Sequence, residues 1–278
     1  MAGNAGRGER GVTGTDGADR FAANTGGYAR FRPAYPASLL DRLRDVVLAV
    51  SGAAALPVAD IGSGTGIFTR QLADVLPGIA VIGVEPSGPM REEALRAGRS
   101  RPGIRYVDGT AERLPFADAS LRAVTAATAA HWFDLPAFLG EAARVLAPSG
   151  VLAIAEYVRD VERSPAAAAL EAFLARHGGP KAYVRPDYST VLAAAPGFAD
   201  AGSFGEDVTV DLAAEEFVGL ALSSSHARAV EERLGQDETR RRLAALAESL
   251  RENGGTIPYR YRFRIYTARR SDRDLSAG

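Results

Sequence analysis

From residue 58 onward, short apolar runs alternate with segments of helical periodicity, and this alternation leaves few folds open to the chain. The runs at Val58–Ile61, Ala80–Val84, Ile104–Val107, Leu121–Thr128 and Val151–Tyr157 read as strands. Between them, Phe68–Leu76, Met90–Ala97 and Pro136–Leu146 read as helices. Strands that alternate with helices build βαβ units, and right-handed crossovers place the helices on both faces of a mostly parallel sheet. The expected fold is therefore α/β, a Rossmann-like doubly wound sheet. A helix from Ser38 to about Val50 precedes it. After it come a helix at Pro165–Arg176, a short strand at Asp207–Asp211 and helices at Ala213–Leu222 and His226–Arg251. A last strand, Ile257–Ala268, alternates Tyr259, Tyr261, Phe263 and Ile265 with Arg260, Arg262, Arg264 and Tyr266, so one of its faces is expected to be packed.

Composition narrows the function classes. The chain has no cysteine, which excludes disulfides, thiolate metal sites and cysteine nucleophiles and fits a reducing cytoplasm. Its formal charge is −1, against a polybasic nucleic-acid binder. The arginine stripe at 260, 262 and 264 reads either as a solvated or ion-paired face or as a nucleic-acid contact, and the neutral balance elsewhere favours the first. The most apolar stretch, Val46–Ile61, is broken by Ser51, Gly52, Pro57 and Asp60 and is too short to span a bilayer. The first residues are polar and Gly-rich with no secretory signal, and residues 1–20 are expected to be disordered. No His/Asp/Glu group has ligand spacing, so no metal is expected.

The chemistry-bearing signal is Asp60-Ile61-Gly62-Ser63-Gly64-Thr65-Gly66-Ile67, which ends a strand and opens a helix. Glycines there permit a sharp turn and a close approach of backbone to a ligand. Glu85 ends the next strand, where a carboxylate can accept hydrogen bonds from both hydroxyls of a ribose. Ile67 stands where a dinucleotide fold wants Gly or Ala for close helix packing, which argues against a nicotinamide cofactor.

Four motifs in order carry a family resemblance: the 60–66 loop, Glu85-Pro86-Ser87, Gly109-Thr110-Ala111-Glu112-Arg113-Leu114-Pro115-Phe116-Ala117-Asp118, and Arg144-Val145-Leu146-Ala147-Pro148-Ser149-Gly150. Together they resemble the class I S-adenosylmethionine-dependent methyltransferases. Ala130-His131-Trp132-Phe133-Asp134 after the fourth strand, and Tyr28 to Pro36 before the first, resemble a small-molecule group within them. The resemblance is close over residues 58–158. It implies S-adenosylmethionine as cofactor, S-adenosylhomocysteine as product, and an antiparallel last strand that closes the sheet.

By the same resemblance, Gly62, Gly64 and Gly66 pass beneath the methionine and ribose of the cofactor. Asp60 supports the loop and the amino group, and Glu85 takes the ribose hydroxyls. Met90 either covers the adenine or fills core. Relatives often carry an Asp where this chain has Thr110, so Glu112 or a backbone carbonyl takes over the adenine amino group, and the Ala111 backbone meets the ring. Thr128 and Ala129 lie at the methionine end. Tyr28 and Arg32 either close over the cofactor as part of a lid at 21–36 or pack as an amphipathic helix. His131 is the candidate general base, with a loop-holding role beside Trp132 as the alternative. Tyr35, Trp132 and Tyr157 are the candidate acceptor contacts.

The organisation expected is a disordered segment at 1–20, lid or cap helices at 21–50, and a methyltransferase domain at 51–278 with cap insertions near 158–200 and 213–253. The function implied is methyl transfer to the oxygen, nitrogen or carbon of a small metabolite, without nucleic-acid or membrane partners and with the oligomeric state left open. A non-methylating cyclase and a non-catalytic cofactor binder on the same fold remain alternatives.

Overall fold

The computed structural model describes residues 33–53, 55–99, 101–180, 185–252 and 255–271. Its centre is a seven-stranded sheet in the order β3-β2-β1-β4-β5-β7-β6. The strands are β1 (Val58–Ile61), β2 (Val81–Val84), β3 (Ile104–Val107), β4 (Leu121–Ala127), β5 (Leu146–Arg159), β6 (Phe198–Leu212) and β7 (Ile257–Arg270). The first five pair in parallel, and β7 runs antiparallel to both β5 and β6. The strand order reverses between β1 and β4, the switch point where ligands bind outside the carboxyl ends of such sheets.

Residues of β1 and β2 are buried throughout because helices cover both faces, which is why these strands read as unbroken apolar runs. One face carries α1 (Ala37–Leu48) and α2 (Ile67–Val75). Helix α1 buries Leu39, Leu40, Leu43 and Val47, an apolar stripe at helical spacing. Near α2, α3 (Gly88–Gly98) buries Met90 and Ala94. The opposite face carries α4 (Leu135–Val145), whose Asp134 carboxylate caps the Ala137 N–H at 3.2 Å, and the short α6 (Tyr188–Ala193). Helices α5 (Pro165–Gly178), α7 (Ala214–Leu222), α8 (Ser225–Leu234) and α9 (Gln236–Ser249) pack with β7 on the α1 side, around Leu170, Leu174, Phe217, Val230 and Leu243.

Three elements differ from the sequence reading. β5 starts at Leu146, because Leu146 already pairs with Leu121 across a bulge in β4. β6 starts at Phe198 instead of Asp207: its first half is an edge strand with mostly exposed side chains and a register shift between Ala199 and Gly202, so it has no apolar alternation to read. The helix expected over 226–251 is two helices, broken at Gly235 with φ +82°. The alternation in β7 holds: Tyr259, Tyr261, Phe263 and Ile265 are buried. The arginine stripe is an ion-paired face. Asp207 sits opposite Arg262 in register and reaches diagonally to Arg260 at 3.3 Å and Arg264 at 2.9 Å, while buried Asp160 meets Arg260 at 3.0 Å.

Candidate functional site

A cleft, open to solvent, lies at the carboxyl ends of β1 and β4. Its wall includes Pro33, Tyr35, Asp60, the 62–65 loop, Phe68, Gln71, Ala127, Thr128 and Tyr157.

The loop after β1 has Gly62, Gly64 and Gly66 all at positive φ. Their neighbours separate their roles. A Cβ on Gly66 would lie 2.1 Å from the Tyr106 hydroxyl oxygen, and one on Gly62 would lie 2.7 Å from the Ala129 Cβ. A Cβ on Gly64 would meet only the Met90 sulfur, at 3.9 Å. Gly62 and Gly64 line the cleft and Gly66 does not; Gly66 is required by packing against β3. Tyr106 was not singled out in the sequence, and the signal for it was faint: a large aromatic in a short strand beside the small Gly83 of β2.

Glu85 is buried at the end of β2. One carboxylate oxygen accepts the Gly64 N–H at 2.9 Å and the other accepts the Ser87 N–H at 2.9 Å. Arg91 donates to the Glu85 carbonyl at 2.5 Å and to Asp108 at 2.8 Å. Burial raises the Glu85 carboxyl pKa, and the two N–H donors oppose that rise. Each oxygen keeps a lone pair for a further donor. Asp60, at the end of β1, accepts the Thr69 hydroxyl at 2.7 Å and the Thr125 hydroxyl at 3.3 Å. Burial pushes its pKa up to about 7 against those two hydrogen bonds, and the nearby Glu85 charge adds to the rise. Ser63 is buried in the cleft wall and its hydroxyl has no partner among the described residues.

The loop after β3 holds Thr110, which is exposed and bridges to Arg113, and Ala111, which is buried. Glu112 accepts the Asp134 N–H at 3.1 Å and so ties this loop to the start of α4. At the end of β4, Thr128 takes φ +55°, a left-handed conformation that a β-branched residue adopts only at a cost, roughly 1–3 kcal/mol. Its hydroxyl lies 3.2 Å from that of Tyr35. Tyr35 is fixed on three sides: Gln71 accepts from its N–H at 3.3 Å and donates to its carbonyl at 3.1 Å, and its ring meets Phe68, Phe263 and Tyr157 edge-on. Burial raises the Tyr35 phenol well above its ordinary pKa.

Not every expected residue falls in the cleft wall: Glu85, Met90, Thr110, Ala111 and Glu112 are not among the cleft-lining residues described. Ala129 packs on Gly62 behind it. His131 sits in a 3₁₀ turn, Ala130–Trp132, with its ring 4.9 Å from that of Trp132; neither ring is among the cleft-lining residues described. Tyr28 and Arg32, and with them most of the 21–36 lid, lie outside the described residues. Beside Tyr157 on β5, Glu156 accepts from Arg185 at 3.0 Å and from the Tyr266 hydroxyl at 3.1 Å, a charge pair that no local motif announced.

A family described as a methyltransferase domain matches residues 59–154, the segment from β1 into β5 that carries this loop, Glu85 and Thr128. Residues 59–154 therefore carry a methyltransferase domain. An uncharacterized methyltransferase of Mycobacterium tuberculosis is 38% identical over 160 residues, 58% of this chain and 60% of that protein. The chain thus spans 60% of that curated relative's length. A demethylmenaquinone methyltransferase of Thermus thermophilus is 36% identical over 102 residues, 36% of this chain and 46% of that protein. A solved structure from Anaeromyxobacter dehalogenans, named as a candidate type II methyltransferase, is 26% identical with a TM-score of 0.65, covering 86% of this chain and 97% of that chain. That likeness reaches well beyond the matched domain. Among the described residues no helix is long and apolar enough to cross a membrane.

The residues fit S-adenosylmethionine on their own chemistry. Gly64 leaves open the space a side chain would fill, the Ser63 hydroxyl is buried without a partner among the described residues, and two carboxylates stand at the ends of neighbouring strands.

Proposed function

We propose that the protein transfers a methyl group from S-adenosylmethionine to a small-molecule acceptor. The observation that carries this reading is one cleft with two unlike walls: glycine backbone and Asp60 at β1, with Glu85 of β2 bonded to Gly64 behind them, and aromatic rings and neutral hydroxyls at β4 and β5. In this reading Glu85 holds the ribose hydroxyls, Asp60 faces the amino group, and Gly62 and Gly64 let the backbone approach. Met90, buried beside Gly64, covers the adenine, and the loop from Thr110 to Glu112 borders it.

S-adenosylmethionine supplies, when bound, an electrophilic methyl group that needs no further activation. The protein's own task is then to bind, align and exclude water. Tyr35, Phe68 and Tyr157 present an apolar wall that suits a planar acceptor. The demethylmenaquinone methyltransferases among the relatives fit that acceptor shape by name. His131, packed on Trp132, serves the site by holding the turn after β4. Helices α5 and α7 to α9, packed beside β7, are the cap elements of this reading, over a domain beginning near residue 51.

Mass spectrometry tests the function. Incubation with S-adenosylmethionine and a phenolic or quinol acceptor panel is expected to give product heavier by one methylene together with S-adenosylhomocysteine. An isomer of unchanged mass would point to electrostatic catalysis without transfer. No product with any acceptor, despite bound cofactor, would contradict enzymatic transfer to this class.

A further inference from the structure

The acceptor wall holds a feature that cofactor binding does not require. We infer that the hydrogen-bonded hydroxyls of Tyr35 and Thr128 form an anchoring site for an uncharged acceptor, gripping it through an oxygen beside the atom that takes the methyl group. The inference rests on the methyl-transfer reading and adds the chemical class of its acceptor.

Both residues are held where they are at a cost or by several constraints. Thr128 keeps φ +55° at the end of β4, a conformation a glycine would adopt without strain, so the strain retains a side chain there. That side chain's hydroxyl lies 3.2 Å from the Tyr35 hydroxyl, although the two residues are 93 positions apart in sequence. Gln71 clamps both backbone polar groups of Tyr35, and Phe68 and Phe263 meet its ring at centroid distances of 5.0 and 5.4 Å. A preorganised pair of this kind loses little freedom when a ligand binds. Two hydroxyls joined by one hydrogen bond still offer a donor and further acceptor positions. The buried phenol of Tyr35 stays protonated at ordinary pH, so the pair is neutral.

The surroundings set the charge of what can bind. Among the described cleft residues there is no lysine or arginine; the one carboxylate, Asp60, is already engaged by Thr69 and Thr125, and the charges nearest Tyr35 and Tyr157 outside the wall, Glu156 and Arg185, are paired with each other at 3.0 Å. A charged acceptor would give up water there for no opposite charge. A neutral phenol, enol or carbonyl compound gives up little and gains the hydroxyl pair, with its apolar body against Phe68 and Tyr157.

The test uses the full chain saturated with S-adenosylhomocysteine and three probes of one shape: 2-naphthol, 2-methylnaphthalene and 2-naphthoate. Equilibrium binding is measured for the wild type, Tyr35→Phe, Thr128→Gly and Thr128→Ser. The wild type is expected to bind 2-naphthol about fivefold or more above either other probe, the discrimination of one or two neutral hydrogen bonds. Tyr35→Phe and Thr128→Gly are expected to erase that preference and Thr128→Ser to keep it, with S-adenosylhomocysteine affinity unchanged in all three. Preference for 2-naphthoate, or none for 2-naphthol, overturns the inference alone. A loss of S-adenosylhomocysteine affinity in Tyr35→Phe and Thr128→Gly overturns it too, because the pair would then serve the cofactor. A wild type that does not bind S-adenosylhomocysteine overturns the methyl-transfer reading itself and this inference with it.

Discussion

The two walls of the cleft are built from different parts of the chain by different means. At β1 and β2 two of the defining hydrogen bonds are short in sequence: Asp60 meets Thr69 nine residues on, and Glu85 accepts the N–H of Gly64 twenty-one residues back, while Asp60 also reaches Thr125 across 65 residues. Backbone geometry dominates, with positive φ at Gly62, Gly64 and Gly66. At β4 and β5 the contacts are long: Tyr35 meets Thr128 across 93 residues, and Tyr266 meets Glu156 across 110. Side chains dominate there, and each depends on the whole sheet being assembled. The comparison teaches that one wall is drawn largely from a single βαβ unit, whereas the other is assembled from distant strands and helices.

The largest effect is expected where the first wall has no slack. Gly66→Ala places a Cβ 2.1 Å from the Tyr106 hydroxyl and imposes φ +75° on an alanine. Overpacking of this kind costs about 1–3 kcal/mol, and the left-handed conformation roughly 1–2 kcal/mol more. Chemical denaturation should show the loss, and Tyr106→Ala in the same chain should recover the overpacking part. Full tolerance of Gly66→Ala would mean that Tyr106 does not fix this loop.

A second expectation concerns pH and also belongs to the first wall. Burial raises the Asp60 pKa from 3.8 to about 7. Between those values the folded protein binds a proton that the unfolded chain has released, so this group's contribution to stability declines as pH rises from about 4 to 7 and stays low above it. Asp60→Asn removes the charged form. It should raise the melting temperature relative to wild type at pH 8, with the difference shrinking toward pH 5. A difference independent of pH would show that the Asp60 carboxyl titrates near its ordinary value.

The smallest effect is expected at the turn after β4. With His131 packed on Trp132 outside the described cleft wall, His131→Asn should lower the melting temperature modestly and leave turnover within a few-fold of wild type. A loss of roughly 10²–10⁴ in kcat, the scale of general base catalysis, with cofactor affinity intact, would return His131 to the reaction.

These contrasts also explain what was legible in the sequence. The parallel strands, the glycine loop, Glu85 and the antiparallel last strand could be read because each rests on local patterning or on four motifs in order. The start of β6 could not, since an exposed edge strand carries no apolar period. The break at Gly235 carries a local sign: a glycine followed by Asp237 and Glu238, the acids of a helix's first turn. The separate task of Gly66, set by Tyr106 forty residues on, and the strain at Thr128 arise only when strands lie side by side. Tyr35 was read as an acceptor contact, but its clamp by Gln71 and its bond to Thr128 are products of the assembled fold.

Calorimetric titration with S-adenosylhomocysteine tests the central claim, that the wall at β1 and β2 is the cofactor's. The wild type should bind one equivalent. Glu85→Ala should weaken that binding by about tenfold or more, since a hydrogen bond to a charged group contributes roughly 1.5–3 kcal/mol. Tyr157→Phe, on the other wall, should leave the affinity unchanged. Equal affinity for wild type and Glu85→Ala, with both proteins folded, would contradict the account.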